Sequence, residues 1–368
     1  MIIYKLIRYY SSVRRPYINL KTVISWKGRM LLKALVYAGP KIVEVRDVAE
    51  PVRKSREVML DVKYCGVCGS DIGIYLGTHP RAKAPLVFGH EFLAVAAEDG
   101  EKIKKGDRVV PYPLISCGKC LACRSGNGHV CNTLGLIGID TDGGMCEWVC
   151  VSEDVLFKVP DSVSDRAAVT TEPLAVLVHA LAMSGFKHFD TAVVTGAGPI
   201  GMLCAIVLKH AGASNIFVSD IADKRLDLAR KLGFIPINPT SEDLGKAVRE
   251  VTAGEGADVF FECSGAPSAA MQMTDITRVR AHICMVSVHK APHEVNLREL
   301  NFKEQTLVGS RVYTKEEFGQ AVGLTVALKD ELEEIVTHVV PLTESAKVFD
   351  MIADPSCGTV KIAVDCLQ

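Results

Sequence analysis

Four cysteines fall within a short span, as Cys117-Gly-Lys-Cys120-Leu-Ala-Cys123 and then, after Arg-Ser-Gly-Asn-Gly-His-Val, Cys131. Two overlapping C-x-x-C steps, closed by a fourth thiol across a polar, glycine-containing loop, have the spacing of a tetrahedral zinc–thiolate site. Disulfides are the rival reading. Alternating C-x-x-C cysteines in a large chain without a secretory signal favour metal over bridges.

The 368 residues leave room for two domains, each with its own core. With a net charge of −1, the chain offers no electrostatic case for nucleic acid or a membrane surface. No apolar run approaches the roughly 18–20 residues that span a bilayer. Thirteen cysteines is a high count, and Cys204, Cys263, Cys284 and Cys366 lie in apolar runs that suit buried, reduced thiols. A reducing, cytoplasmic setting is expected. Residues 1–29 carry Lys5, Arg8, Arg14, Arg15, Lys21, Lys27 and Arg29 and no acid. Such a leader can be a transit peptide, but serine is sparse. The simpler expectation is an extension or over-called start, with the first strand beginning at Met30.

From Leu31 to about Pro160, short alternating strands such as Val58–Tyr64 and Asp107–Pro111 are broken by Gly and Pro, as in a β-rich, barrel-like lobe. A helical stretch covers about Asp165 to Ser184. From Thr191 the rhythm becomes β-α-β: strand Thr191–Thr195, helix Ile200–Ala211, strand Asn215–Asp220, helix Lys224–Leu232. Further strands are expected at Ala257–Cys263, His282–Ser287 and Gln305–Ser310. The alternation predicts an α/β chain with a doubly wound parallel sheet. The tail from about Tyr313 reads as a helix and then a strand, Gly358–Val364, returning to the first lobe.

Gly196-Ala-Gly198-Pro199-Ile200-Gly201 follows an apolar strand and opens a helix. The first glycine allows the tight turn, the second lets a pyrophosphate approach the backbone, and the third lets helix and strand pack closely. Pro199 suits the first helical turn, and the helix N-terminus faces the phosphates. Asp220 ends the next strand, where an acid binds adenosine ribose hydroxyls and repels a 2′-phosphate. NAD is therefore expected ahead of NADP, with Arg225 and Lys224 just beyond, able to soften that preference.

Upstream lie Cys65-Gly-Val-Cys68-Gly-Ser70-Asp71 and Gly89-His90-Glu91. Cys68, His90 and a carboxylate supply the mixed ligand set of a catalytic zinc with an open position. Cys65 reads as a small core residue.

These motifs, with the four-cysteine run, Glu172-Pro-Leu-Ala-Val and the glycine loop, resemble the zinc-containing medium-chain dehydrogenases. The likeness is to their polyol (sorbitol-type), butanediol and threonine branch, from about Met30 to the C-terminus. The resemblance implies a GroES-like catalytic domain (30–182 and 313–368) and a Rossmann NAD domain (183–312). It implies Cys68, His90 and Glu91 as catalytic zinc ligands, with Glu172 bound directly or through water. Cys117, Cys120, Cys123 and Cys131 would hold a structural zinc. Asp71 would orient His90. Zinc would acidify a secondary alcohol, Ser70 would take its proton, and hydride would pass to NAD, leaving a ketone. Ser287, Val288 and Ser310 would line the cofactor. The family also implies a homodimer or homotetramer.

Two positions depart from the pattern. Gly73 stands where many relatives carry the histidine that ends the proton relay, with His79 or water as the substitute. Arg280-Ala281 and Ser287 replace glycines around the fifth strand of the NAD domain. Glu172 and Arg311 point to a hydroxylated substrate, a polyol or sugar acid, with an amino alcohol such as threonine as the nearest rival. Arg311 would bind a carboxylate bidentately; its other reading is a surface or interface arginine. Two readings of other classes are a catalytically silent NAD-binding protein and a zinc-ribbon interaction module. The first would have lost the metal ligands, which are all present. The second would show a basic or aromatic face on the cysteine loop, where Lys119, Arg124 and His129 are too few.

Overall fold

The computed structural model describes residues 31–368, so the basic leader and the strand start at Met30 lie outside the described residues. Leu31–Gly39 and Ile42–Ala49 form an antiparallel pair. The main sheet of the first lobe is built on Glu57–Gly66, which pairs antiparallel with both Glu91–Ala96 and Trp148–Ser152. Its residues Val58, Leu60 and Val62 are fully buried, while Asp61 and Lys63 between and beyond them are half-buried. That alternation is the period of a strand with one face on a core.

The tail closes this lobe. Lys361–Asp365 pairs antiparallel with Glu57–Gly66, setting Ala363 opposite Gly66 and Val364 opposite Cys65. It also pairs parallel with Val336–Pro341.

Between these pieces lies a six-stranded, all-parallel sheet. Its order runs Ile235–Ile237, Asn215–Ser219, Thr191–Thr195, Ala257–Glu262, Thr277–Met285, Thr306–Gly309. Counted within the sheet this is 3-2-1-4-5-6, the doubly wound order, with its switch point between Thr191–Thr195 and Ala257–Glu262. The central strand Thr191–Thr195 is buried along its whole length, as is the run Gly201–Leu208 of the helix Pro199–His210 packed on it. Strands covered on both faces lose the polar alternation of the first lobe.

Local chemistry moves several boundaries. The stretch expected as one helix is two, Asp165–Ala168 and Thr171–Met183. Ser164 caps the first by accepting the Ala167 N–H, and the hydroxyls of Thr170 and Thr171 turn back onto the carbonyls of Ala167 and Ala168. Pro173 then falls in the first turn of the second helix, where its missing N–H costs nothing. The strand expected at His282 begins at Thr277. Within it Arg280 takes φ 58°, a left-handed backbone that non-glycine residues rarely adopt. Strand Ile235–Ile237 and helices Leu244–Val251 and Pro267–Ile276 complete the wrapping. Among the described residues, no helix is long and apolar enough to cross a membrane.

Candidate active site and cofactor crevice

The four-cysteine segment folds into a small lobe on the short helix Leu121–Arg124 and the turn Gly128–Val130. The sulfurs converge: Cys120 to Cys123 is 3.4 Å, and Cys117 to Cys123 and Cys120 to Cys131 are each 3.9 Å. A tetrahedron with zinc–sulfur bonds of about 2.3 Å has edges of about 3.8 Å, so the donor set fits zinc. Backbone N–H groups already point at the sulfurs, Cys117 N to Cys131 Sγ at 3.3 Å and Cys120 N to Cys117 Sγ at 3.4 Å. Those bonds favour the thiolate, and the backbone N–H groups of Lys119 and Cys120 draw the Cys117 thiol down to about 6. Cys120→Ser is expected to lower zinc content from about two ions per chain to about one. Limited proteolysis should then cut first between Cys117 and Cys131, and elemental analysis supplies the count.

A second cluster forms in the first lobe. Cys68 precedes the helix Gly69–Tyr75, while His90 and Glu91 lead into the strand Glu91–Ala96. Ligand atoms of all three lie within 4.8 Å of one another. Asp71 braces the cluster from below: one carboxylate oxygen accepts the Cys68 N–H at 2.8 Å and the other lies 4.0 Å from His90 Nδ1, short of a hydrogen bond. Burial alone would depress the His90 imidazole. Cys68, Asp71 and Glu172 instead hold it well above the ordinary histidine value. Thiolate, imidazole and carboxylate gathered within 4.8 Å are a donor set that suits zinc. The Ser70 hydroxyl is buried beside Cys68 with no partner in the protein.

Glu172 faces this cluster from the first turn of Thr171–Met183 but stands outside the tight group of three. Its carboxylate accepts the hydroxyl of fully buried Tyr313, and burial raises its pKa to about 7. Glu91 is also bound by Lys361, which donates to the Val67 carbonyl at 2.9 Å as well. Sequence reasoning missed Tyr313 and Lys361. A lysine in the wholly apolar run Thr359–Val364 was the available signal, because a buried lysine needs an acidic partner. Gly66 leaves room for the pair: a Cβ there would lie 2.4 Å from Glu91 Oε2 and 2.9 Å from Lys361 Cε. His79 packs against Gly73, its Nδ1 accepting the Ala82 N–H at 3.2 Å.

The glycine loop sits at the carboxyl ends of the parallel strands. Gly201 is pressed so closely on Gly196 that a Cβ would fall 1.7 Å from the Gly196 carbonyl oxygen, while one at Gly198 would meet nothing within 4 Å. The loop is thus packed behind and open in front, where a pyrophosphate would lie, and Pro199 and Ile200 begin the helix. Asp220 accepts the N–H of Ala197 at 2.7 Å and of Ala222 at 2.9 Å, tying the loop to the end of the second strand. Arg225 lies 3.8 Å from Asp220 and donates to the Thr359 carbonyl, so it bridges to the tail. Ser287 does not offer its hydroxyl to the crevice; it donates to Glu262. Val288 is exposed, and the Ser310 hydroxyl is buried without a partner. Arg311 is exposed, near the buried His129 of the cysteine lobe.

Comparison with known proteins agrees with this geometry. An alcohol dehydrogenase GroES-like domain matches residues 54–161, and a zinc-binding dehydrogenase domain matches residues 199–327. The chain is 36% identical over 338 residues to 2-dehydro-3-deoxy-L-galactonate 5-dehydrogenase of Pseudoalteromonas atlantica, covering 90% of this chain and 98% of that one. It is 37% identical over 330 residues to sorbitol dehydrogenase of Halalkalibacterium halodurans, covering 87% and 96%. Its fold is similar to a zinc-binding dehydrogenase of Sinorhizobium meliloti bound to NADP, with TM-score 0.85, 27% identity, and 92% and 100% coverage.

Proposed function

The chain belongs to the zinc-containing medium-chain alcohol dehydrogenases, and from that premise we propose that it oxidises a secondary alcohol of a polyol or sugar acid to the ketone, reversibly and with NAD. The observation that carries this is the convergence of Cys68, His90 and Glu91, their ligand atoms within 4.8 Å of one another, beside an unpartnered Ser70 hydroxyl. Bound there, zinc supplies Lewis-acid stabilisation of an ionising alcohol, and the dinucleotide supplies the hydride acceptor. Ser70 accepts the substrate proton. Glu172, held by Tyr313, lies beside the cluster, where it orients a hydroxyl or a water. Arg311, exposed on the segment after Thr306–Gly309, receives the carboxylate of a sugar acid. The catalytic unit is 30–182 with 313–368 and the NAD unit is 183–312. The protein works as a homodimer or homotetramer in the cytoplasm, without nucleic acid or membrane partners.

The test is NADH formation by absorbance across polyols, vicinal diols, aldonic and uronic acids and L-threonine, with NADP in parallel. Turnover on a polyol or sugar acid supports the reading. Zinc-loaded protein that binds dinucleotide and turns over only L-threonine, or nothing, overturns it.

The NAD preference rests on Asp220. Asp220→Ser is expected to raise the KM for NAD about tenfold and to narrow the NAD-to-NADP ratio, because a charge-assisted bond to ribose is lost and the repulsion of a 2′-phosphate goes with it. Steady-state kinetics with both cofactors check this. An unchanged ratio would remove Asp220 from the site.

A further inference from the structure

Three turns line up along the carboxyl edge of the parallel sheet. They follow Thr191–Thr195, Ala257–Glu262 and Thr277–Met285, at residues 196–198, 263–265 and 287–289. They touch in sequence: a Cβ at Gly196 would lie 3.0 Å from Ser264 Cα, and one at Gly265 would lie 3.8 Å from Ser287 Oγ. In doubly wound sheets of this order a dinucleotide lies across this edge, one mononucleotide unit on each half of the sheet. The glycine loop and Asp220 belong to the first half, which takes the adenosine end. The second half, strands four to six, takes the nicotinamide end.

Glu262 joins the two turns of that second half. Its side chain is completely buried, and every hydrogen bond to it comes from a turn or a strand end at the edge. Oε1 accepts the backbone N–H groups of Ser264 and Gly265, each at 2.9 Å, and the Ser264 hydroxyl. The Thr195 hydroxyl reaches the same oxygen at 3.4 Å. Oε2 accepts the Ser287 hydroxyl and lies 3.0 Å from His289 Nε2, which donates to it. The Glu262 carbonyl takes the backbone N–H groups of Val286 and Ser287 as well, at 2.9 and 3.0 Å. Ser287 and His289 are therefore anchored on either side of Val288, and Val288 stands 88% exposed between them. A buried carboxylate is a costly way to stabilise a strand end, and an apolar residue would do so without needing this set of donors. A carboxylate does what an apolar residue does not: it sets the spacing of two turns through directional bonds.

Building on the nucleotide-binding reading above, we propose that Glu262 is a positioning residue for the cofactor. It holds the 263–265 and 287–289 turns through Ser264, Ser287 and His289, so that Val288 forms the apolar wall for the nicotinamide ring. Ser287, whose hydroxyl is held by Glu262, is part of the device rather than a contact of the cofactor. It acts through Val288 and touches no reacting atom.

The test compares two ligands on the intact protein by calorimetry: NADH, which has both ends, and ADP-ribose, which lacks the nicotinamide. Ser287→Ala combined with His289→Leu leaves the bonds from Ser264 and Gly265 in place, and a denaturant titration of the variant confirms that it is folded before either ligand is added. NADH should bind about tenfold more weakly, and ADP-ribose within about twofold of wild type, since only the wall has been freed. His289→Gln, whose amide nitrogen can reach the same carboxylate oxygen, should bind NADH nearly as wild type does, whereas His289→Leu should not. Equal losses for both ligands would mean that the network merely supports the fold, and no loss for either would mean that the wall does not depend on it; both overturn the proposal. Wild-type protein that bound neither ligand would instead overturn the nucleotide-binding reading beneath it.

Discussion

Cys68→Ser should reduce alcohol oxidation by about a thousandfold or more while leaving dinucleotide affinity unchanged. An aliphatic alcohol does not ionise near neutral pH, and the Lewis acid contributes several kcal/mol to the step that ionises it. At 1.36 kcal/mol per tenfold, a loss of about 4 kcal/mol is about a thousandfold. A serine hydroxyl is a poor replacement for a thiolate at zinc, and His90 and Glu91 alone make a weak two-ligand site. The glycine loop is on a different sheet and keeps its geometry. Pre-steady-state NADH formation gives the rate, elemental analysis should find about one zinc ion per chain rather than about two, and ADP-ribose titration gives the affinity. A variant that lost one zinc and kept its rate would remove this cluster from the chemistry.

Lys361→Met is expected to destabilise the metal-free protein by about 3–5 kcal/mol, the usual result of removing one partner of a buried ion pair. Both side chains are about as buried as any in the molecule, Lys361 at 1% and Glu91 at 2% exposure. The methionine fills the space of the lysine stem, so the cost is not a cavity; it is the Glu91 carboxylate left without its cation and the Val67 carbonyl left without a donor. Zinc held by Cys68, His90 and Glu91 would itself neutralise the Glu91 carboxylate. The deficit should therefore shrink when the protein is loaded with zinc. Denaturant titrations of wild type and variant, with zinc and after chelation, give the four numbers needed. Equal deficits with and without zinc would show that Glu91 does not face the metal.

The candidate catalytic motifs were legible because each is local. Cys68, Ser70 and Asp71 occupy the start of one helix, and His90 and Glu91 are adjacent, so spacing alone carries them. The four cysteines span one lobe for the same reason. The glycine loop was readable from its flanking strand and helix. The residues that sequence reasoning missed are all partners across distance. Lys361 meets Glu91 only because the last strand returns to lie beside Glu57–Gly66. Tyr313 meets Glu172 across 141 positions. Glu262 was an acid ending an apolar strand, a weak signal until Ser287 and His289 arrive from the neighbouring strand end. The hydroxyl of Ser287, expected to line the cofactor, is bonded to the buried Glu262 carboxylate, a partner that the sequence did not indicate.

What this sequence determined by itself is its chemistry and its class of fold: thiol and imidazole donors at zinc spacing, a glycine turn between strand and helix, and the two hydrophobic periods that separate a half-exposed sheet from a buried parallel one. Those are properties of neighbours along the chain, decided by bond geometry and side-chain type. Only the tertiary structure decided how the donors are held and charged: that Glu91 is shared with Lys361, that Glu172 is held by Tyr313 outside the tight cluster, and that Glu262 ties two turns into one wall. Each of these brings a buried charge to a partner far away in sequence. Burial in a low-dielectric interior makes such a charge costly alone and tolerable once partnered, and the partner is chosen by strand order and register, which local pattern does not encode.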